Sequence, residues 1–491
     1  MLNPMGMLAV VPTTLGVGEE FALKLRLLGE VRAVPCAGAW NTVKPGLRGP
    51  FNLNVERKIQ FMDNTLQEWA GRIIVEADAL DGPRELIFDG KEQGVYARDK
   101  RPIKTFGGFR WTRPGIHFLR LTDAASGLSV SANACCVSEK PPPCRMYWGD
   151  PHWQTFFSDG IRCPEELYAF ARDEGFLDFG AISDHMEAVT QRQWEYFQAV
   201  TNDFNDPGRF VTLQGQEWTH HLKAGGAPGH RNVYYRGAGG PALRCTDGDC
   251  DTLEKLWRKL DEIGLPAIAI PHHPANTVMG VDWEQGWNPR YELAVEIYSV
   301  WGNSERPAEA GNPRAMNNTL GGEMRGRHVL DALRRGYRMG FVGGGDIHDG
   351  RPGDELHTES YPPRGLRMHP EGFTAAPLPS LTREHLFDAI AQRRTYATTK
   401  SRIYLDWRVE DGRRLRFESA SEDGMAGVDV VRNGEDAERM TPRDDPRIVR
   451  AEVALSDMAP GEFCYLRVTT AKGNMAWSSP FWGEEIAGRR P

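Results

Sequence analysis

Histidines and carboxylates recur in six short segments of this chain: GDPHWQTFFSDG (149–160), AISDH (181–185), GQEW (215–218), GHRNV (229–233), IPHHP (270–274) and GGGDIHDGRPG (343–353). Imidazole nitrogens and carboxylate oxygens are the ligands that zinc, manganese and iron accept. Each segment alone has a plainer reading. A lone buried histidine is usually a hydrogen-bonded core residue. Ser183 or Asp184 is a good helix cap, GQEW by itself carries little, and proline-flanked histidines serve many ends. Recurrence is what points to a shared metal centre, because the chain has only thirteen histidines. One position breaks the pattern. Two residues after His152, where a His-x-His pair would put its second imidazole, stands Gln154, which offers only a neutral oxygen and is a poorer zinc ligand.

Such groups act together only if the fold gathers them. From Cys144 to about Lys400, short apolar runs alternate with amphipathic stretches: RMYWGD then CPEELYAFARDEG, FLDFGAISDH then TQRQWEYFQAVTNDF, GRFVTLQGQEW, TLEKLWRKLDEIG then PAIAIPHHP, GRHVLDALRRG then RMGFVGGGDIH, and a last helix TREHLFDAIAQRR. Alternation of this kind predicts parallel α/β structure, and over ~250 residues a barrel is the leading form. The histidines and acids then lie at successive strand ends, which converge at the barrel's C-terminal mouth.

The flanks read differently. Residues 1–142 are short alternating runs bounded by Gly, Asp and Ser, ending in a hairpin pattern and the linker SEKPPPC. Residues 401–491 are strand-like again. The expected organisation is a β-rich, sandwich-like domain over 1–142, a metal-binding α/β barrel over 143–400 and a second β-rich domain over 401–491. No internal repeat or low-complexity tract is present.

The six segments, with EIYSVWGNSE and RRTYATTKSRIYLDWRV, resemble the PHP (polymerase and histidinol phosphatase) superfamily, most closely a branch of large PHP-like proteins known only as a domain of unknown function. The resemblance covers most of the chain. It implies a distorted (β/α)7 barrel with β-rich flanks and two or three divalent metal ions, Mn or Zn first and Fe as the alternative. It further implies that His152, Asp346 and Glu217 serve a first ion, with Glu217 bridging to a second held by His230 and His273. His185 and His348, with Asp159, resemble the ligands of a third. His272 would be second-layer or substrate-facing. Gln154 departs from the family and would serve as a weak oxygen ligand, shift metal preference toward manganese, or mark a lost ion or lost catalysis.

The chemistry expected of such a site is hydrolysis by a metal-bridging hydroxide, most readily of a phosphoester. An amide, ester or lactone in a bulky or aromatic substrate is the alternative, and a degenerate non-catalytic binding protein the third reading. His272 and Asp349 are candidates for leaving-group protonation. Arg351, and less strongly Arg231 and Lys400, are candidates to grip an anionic substrate. Tryptophans crowd the motifs (Trp148, Trp153, Trp218, Trp283, Trp287, Trp301), and Trp153 and Trp218 are candidates to line a pocket for an aromatic molecule. Glu296, Ser299, Asn303 and Glu305, in and after the strand LAVEIYSV, are candidates to orient ligands.

Composition narrows the classes. The formal net charge of −8 with no basic run argues against nucleic acid, and the partner expected of a hydrolase of this kind is a small-molecule substrate, anionic or aromatic. No run of 18 apolar residues predicts a membrane span. The N-terminus lacks a basic region before its apolar patch, so no secretory signal is expected. The eight cysteines are scattered, with Cys245 and Cys250 read as reduced thiols in a turn-rich insertion. The expected location is cytoplasmic, and oligomeric state is not encoded in any feature seen here. No phosphate loop ends in Gly-Lys-Ser/Thr and no Gly-x-Ser-x-Gly elbow occurs.

Overall fold

The computed structural model describes residues 3–33, 61–94, 100–220, 228–317, 321–357, 368–455 and 458–487. Up to residue 138 the described elements are strands. The long strand Glu20–Ala33 pairs antiparallel with Gly6–Val10 and Ile103–Trp111. A second sheet is built from Ser129–Ser131, Arg120–Asp123, Ala70–Glu76 and Glu85–Asp89. Phe21, Leu23, Leu25 and Leu27 all point inward, as a period of two requires, onto Ile73, Val75, Leu121 and Trp111. The result is a sandwich-like block with its own core.

The central region supplies the strands β1 (Arg145–Trp153), β2 (Phe179–Ile182), β3 (Gln214–Trp218), β4 (Arg231–Tyr235), β5 (Ala267–Pro271), β6 (Ala294–Ser299), β7 (Gly340–Gly343), β8 (Gly372–Leu378) and β9 (Tyr396–Thr399). Helices α1 (Pro164–Asp173), α2 (Gln191–Asp203), α3 (Leu253–Ile263), α4 (Val329–Arg334) and α5 (Arg383–Ala391) alternate with them. Their boundaries follow local chemistry. Pro164 opens α1, a Thr190–Gln193 capping box opens α2, and Thr252 caps α3, which ends at Gly264 with φ 67°.

The chain is mixed α/β and strand-rich, but the expected distorted (β/α)7 barrel is not shown: among the described residues the central strands do not join in one hydrogen-bonded cylinder. Strands β1 and β2 are parallel, as are β6 and β7, each pair joined through a helix. Strands β3, β4 and β5 form a separate antiparallel sheet, and β8 runs antiparallel to β1. The strands thus fall into three sheets. Isolated parallel bridges join two of the gaps at the functional rim, His185 to Glu217 and Trp153 to Ile347. The antiparallel turn-back also explains why His230 precedes its strand, whereas His152 lies in the last residues of its own and His185, His272, His273 and His348 follow theirs.

Beyond residue 400 the hydrogen bonding continues without a break. Strand β10 (Met475–Ser478) pairs with β9 and extends the sheet through Phe463–Thr470 to Met425–Arg432. The three-stranded sheet of Tyr404–Glu410, Arg414–Ala420 and Ile448–Ala454 packs Leu415, Phe417 and Val449 onto Val428, Val430 and Leu466. The seven described cysteines are free thiols; Cys36 lies outside the described residues. Among the described residues no helix is long and apolar enough to cross a membrane.

Candidate metal centre

Glu217, at the end of β3, is the hub on which the rim converges. Its Oε1 lies 2.7 Å from His230 Nδ1, 3.1 Å from His185 Nδ1 and 3.3 Å from His272 Nε2, and its Oε2 lies 3.4 Å from His152 Nε2. His152 Nε2 is in turn 3.2 Å from Asp346 Oδ1. A tetrahedral ion with bonds of about 2.1 Å holds its ligand atoms about 3.4 Å apart, so the spacings of His272 and His152 from Glu217 and of His152 from Asp346 suit a cation between them, while His230 and His185 stand at direct hydrogen-bond distance from Glu217. Four triads bring their ligand atoms within 4.8 Å: His152–Glu217–His272, His185–Glu217–His230, His230–His272–His273 and Asp159–His185–His348. Glu217, His185, His230 and His272 each belong to two triads. The groups therefore run side by side, from the buried His152 end to the more open end at Asp159, whose side chain is 14% exposed.

Open ring nitrogens support the fit. His272 makes no hydrogen bond through either nitrogen among the described residues, and neither His152 Nε2 nor His273 Nδ1 makes one, although all three residues are buried. Buried polar atoms are normally satisfied, and imidazoles left open toward carboxylates are what a cation would take up. Burial lowers His272 to about 4 against the pull of Glu217. Burial, with repulsion from His272 and His230, holds His273 well below its ordinary value. Both therefore present neutral lone pairs. Burial alone would also lower His152 and His185. The carboxylates of Asp346 and Glu296 raise the first, and those of Glu217 and Asp159 the second. Burial pushes the Glu217 carboxyl up, but the imidazoles of His185, His272 and His230 outweigh it and hold the group well below its usual range.

A second layer aims these candidate ligands. Glu296, in β6, places its oxygens 3.0 and 3.3 Å from His152 Nδ1 and leaves Nε2 for the centre. The Trp301 indole N–H donates to Asp346 Oδ2, and His348 Nδ1 lies 2.7 Å from the Asp346 carbonyl oxygen. Thr219 Oγ1 donates to Glu217 Oε1 at 3.0 Å and sits 2.7 Å from His185 Nδ1. Asp150 Oδ1 accepts from the backbone N–H of His152 and of Gly345, at 3.0 and 2.7 Å, and so ties β1 to the GGGD segment. Asp184 Oδ1 accepts from Thr155 N and Ser158 N, both at 3.1 Å, and folds the loop that presents Asp159. His273 and Asp346 hold left-handed backbone, φ 34° and 51°, at a cost of about 1–3 kcal/mol each. Thr219 had no signal in the sequence. Glu296 and Trp301 were visible only as members of a polar and aromatic cluster at the end of a strand.

Several expected roles change. Gln154 is not turned outward as a ligand: its amide nitrogen donates to Glu217 Oε2 at 2.8 Å and its oxygen accepts from Ser158 Oγ. His272 stands among the candidate ligands and not behind them as a proton donor. Asp349 is consumed by its own turn, accepting from Arg351 N and Leu356 N. Arg351 is fully buried against Asp63, Asn64 and Asp354, and Lys400 lies 3.0 Å from Asp354 Oδ1. Trp153, Trp218 and Arg231 each follow a rim residue directly in or beside a strand, so alternation sends them to the opposite face. Trp153 packs 5.6 Å from the Tyr168 ring, Trp218 Nε1 donates to the Cys250 carbonyl at 2.8 Å, and Arg231 Nε donates to Glu292 at 2.6 Å. None of the three lines the centre.

With this geometry established, comparison with known proteins adds a family description. A model described as "Protein of unknown function (DUF3604)" matches residues 164–306, which include His185, Glu217, His230, His272 and His273. Uncharacterized proteins of Chlamydia pneumoniae and Chlamydia trachomatis are each 28% identical to the chain, over 404 and 402 residues. Each alignment covers 76% of this chain, which spans 62% of the length of those relatives. Among solved structures, a two-domain protein from Bacteroides vulgatus containing a predicted PHP-like metal-dependent phosphoesterase aligns over 69% of this chain and 96% of its own. The identity is 14% and the TM-score 0.34, a likeness that carries no argument on fold or activity.

Proposed function

We propose that this chain is a PHP-like metal-dependent hydrolase. The observation that carries the reading is the shared carboxylate: one oxygen of Glu217 faces His152 and the other faces His185, His230 and His272, the arrangement expected of a group between two cations. His152, Glu217, Asp346 and His272 would hold one ion, Glu217, His230 and His273 a second, and Asp159, His185 and His348 a third. Divalent ions bound there would make water a nucleophile at neutral pH and take up the charge that develops on the attacked group.

The chain's own contribution is orientation and exclusion of water. Glu296 fixes the His152 tautomer, Thr219 steadies both Glu217 and His185, and the buried inner end keeps the carboxylates away from solvent. A small-molecule substrate would approach from the Asp159 and His348 end. A row of cation positions suits a phosphoester, whose attacking and leaving oxygens both need charge stabilisation. One observation favours a carbon centre instead: Arg351 and Arg231, the arginines best suited by sequence to grip an anion, both point into the protein interior.

The test is activity of the manganese- or zinc-reconstituted chain on chromogenic phosphate mono- and diesters beside aryl esters, lactones and amides. Chelator-reversible turnover of a phosphoester is the expected result. Activity confined to esters or amides would replace phosphorus by carbon. Failure of the purified chain to retain or take up any divalent ion would remove the hydrolase reading.

A further inference from the structure

The turn that presents His348 is anchored outside the central region. Residues 348–357 fold back on themselves: His348 N donates to His357 Nε2 at 3.2 Å, and Asp349 bridges Arg351 N and Leu356 N. Arg351 Nε donates to the Asp354 carbonyl at 2.9 Å, and its Nη2 to Asp354 Oδ2 at 2.8 Å. The rest of the guanidinium leaves the turn. It donates to Asp63 Oδ1 at 3.1 Å, to Asn64 Oδ1 at 2.7 Å and to the Met62 carbonyl at 3.3 Å. These acceptors belong to the strand Met62–Thr65, paired with Glu20–Ala33 in the N-terminal block. Arg101 also ends on Asp63, and Arg26 spans from that block to Asp354 and the Glu174 carbonyl. Arg351 stacks 4.8 Å from the Phe170 ring.

Burying so many charges is a poor way to glue two blocks together, since apolar contacts of the same volume are often at least as stabilising. Directional bonds to a planar guanidinium do something apolar contact does not: they fix a position and an angle. We infer that Asp63 and Asn64 are positioning residues of the metal centre: by holding Arg351 they hold the turn 348–357, and so set where His348 stands against Asp159 and His185. The N-terminal block is then a working part of the centre and not a separate cover. The inference rests on the metal reading for what His348 does, but not for how it is held.

The test uses the full chain with Asp63→Asn, the milder Asn64→Ala, which keeps every charge, and Val430→Ala as a core control matched in loss of Tm. Hydrogen exchange is read on chelator-treated protein, and cobalt uptake by titration. In both positioning variants, exchange across 346–357 is expected to rise about tenfold while β3 to β5 stay within about twofold. Cobalt uptake is expected to fall by about one ion per chain, as in His348→Ala. Unchanged exchange across 346–357 in both variants, or an equal rise in Val430→Ala, overturns the inference. A wild-type chain that takes up no cobalt overturns the metal reading instead, and the exchange measurement still decides this one.

Discussion

Gln154 donates its side-chain amide to Glu217 Oε2 at 2.8 Å and to the Ser183 carbonyl at 3.0 Å. Its own oxygen accepts the Ser158 hydroxyl at 2.8 Å. Both side-chain polar atoms of this glutamine are therefore engaged in the wall of the centre. Losing a hydrogen bond to a buried charged group costs about 1.5–3 kcal/mol. Gln154→Leu should lower the Tm of chelator-treated protein and leave the number of bound ions unchanged by elemental analysis. Loss of about one ion per chain would instead make Gln154 a ligand.

Glu296 holds His152 from behind. Burial pushes its carboxyl up, and the His152 imidazole beside it opposes that shift. Glu296→Gln should weaken metal binding about 10–100-fold, read by competition with a chromophoric chelator. Equal affinity in the two proteins would show that His152 needs no partner at Nδ1.

Gly344 leaves room for that pair. A Cβ there would lie 2.1 Å from Glu296 Oε2 and 3.0 Å from the His152 Cβ. Gly344→Ala should therefore lose metal at least as severely as Glu296→Gln and lower Tm as well. Gly107→Ala, where a Cβ meets nothing within 4 Å, should leave metal affinity unchanged. Full metal affinity in Gly344→Ala would show that Glu296 can move aside without releasing His152.

Acid should test the interdomain knot. Burial pushes the Asp63 carboxyl up, but Arg101 and Arg351 bring it down to about 2 from an ordinary 3.8. The folded value is the lower one, so its stabilising contribution is complete above about pH 4 and is lost as pH falls through 2. The shift corresponds to about 2 kcal/mol. Urea midpoints of chelator-treated protein between pH 2 and 5 should fall less steeply in Asp63→Asn than in wild type. Parallel curves would mean that Asp63 does not titrate as the structure implies.

Much of the candidate centre was legible because metal ligation admits few residue types. Residue type and place at strand ends singled out the segments, and the resemblance to the PHP superfamily then implied His152, Glu217, His230, His273, Asp346, His185, His348 and Asp159 within them. Facing was harder to read. Trp153, Trp218 and Arg231 sit one residue from a rim residue and so share its segment but not its side of the sheet. Arg351 was readable as a substrate-gripping cation because Asp63 and Asn64, which hold it beside the local Asp354, lie nearly three hundred positions away in the sequence.

The amino-acid sequence alone determined the chemistry on offer, the strand–helix alternation of the middle region and the β-rich flanks, because side-chain type and hydrophobic period are local properties. Tertiary structure decided the rest: that the strands divide into three sheets, that Gln154 turns to Glu217, and that Arg351 is held by Asp63, 288 positions away. Hydrogen bonds and ion pairs depend on distances of about 3 Å, and only the folded chain brings residues so far apart in sequence within that reach.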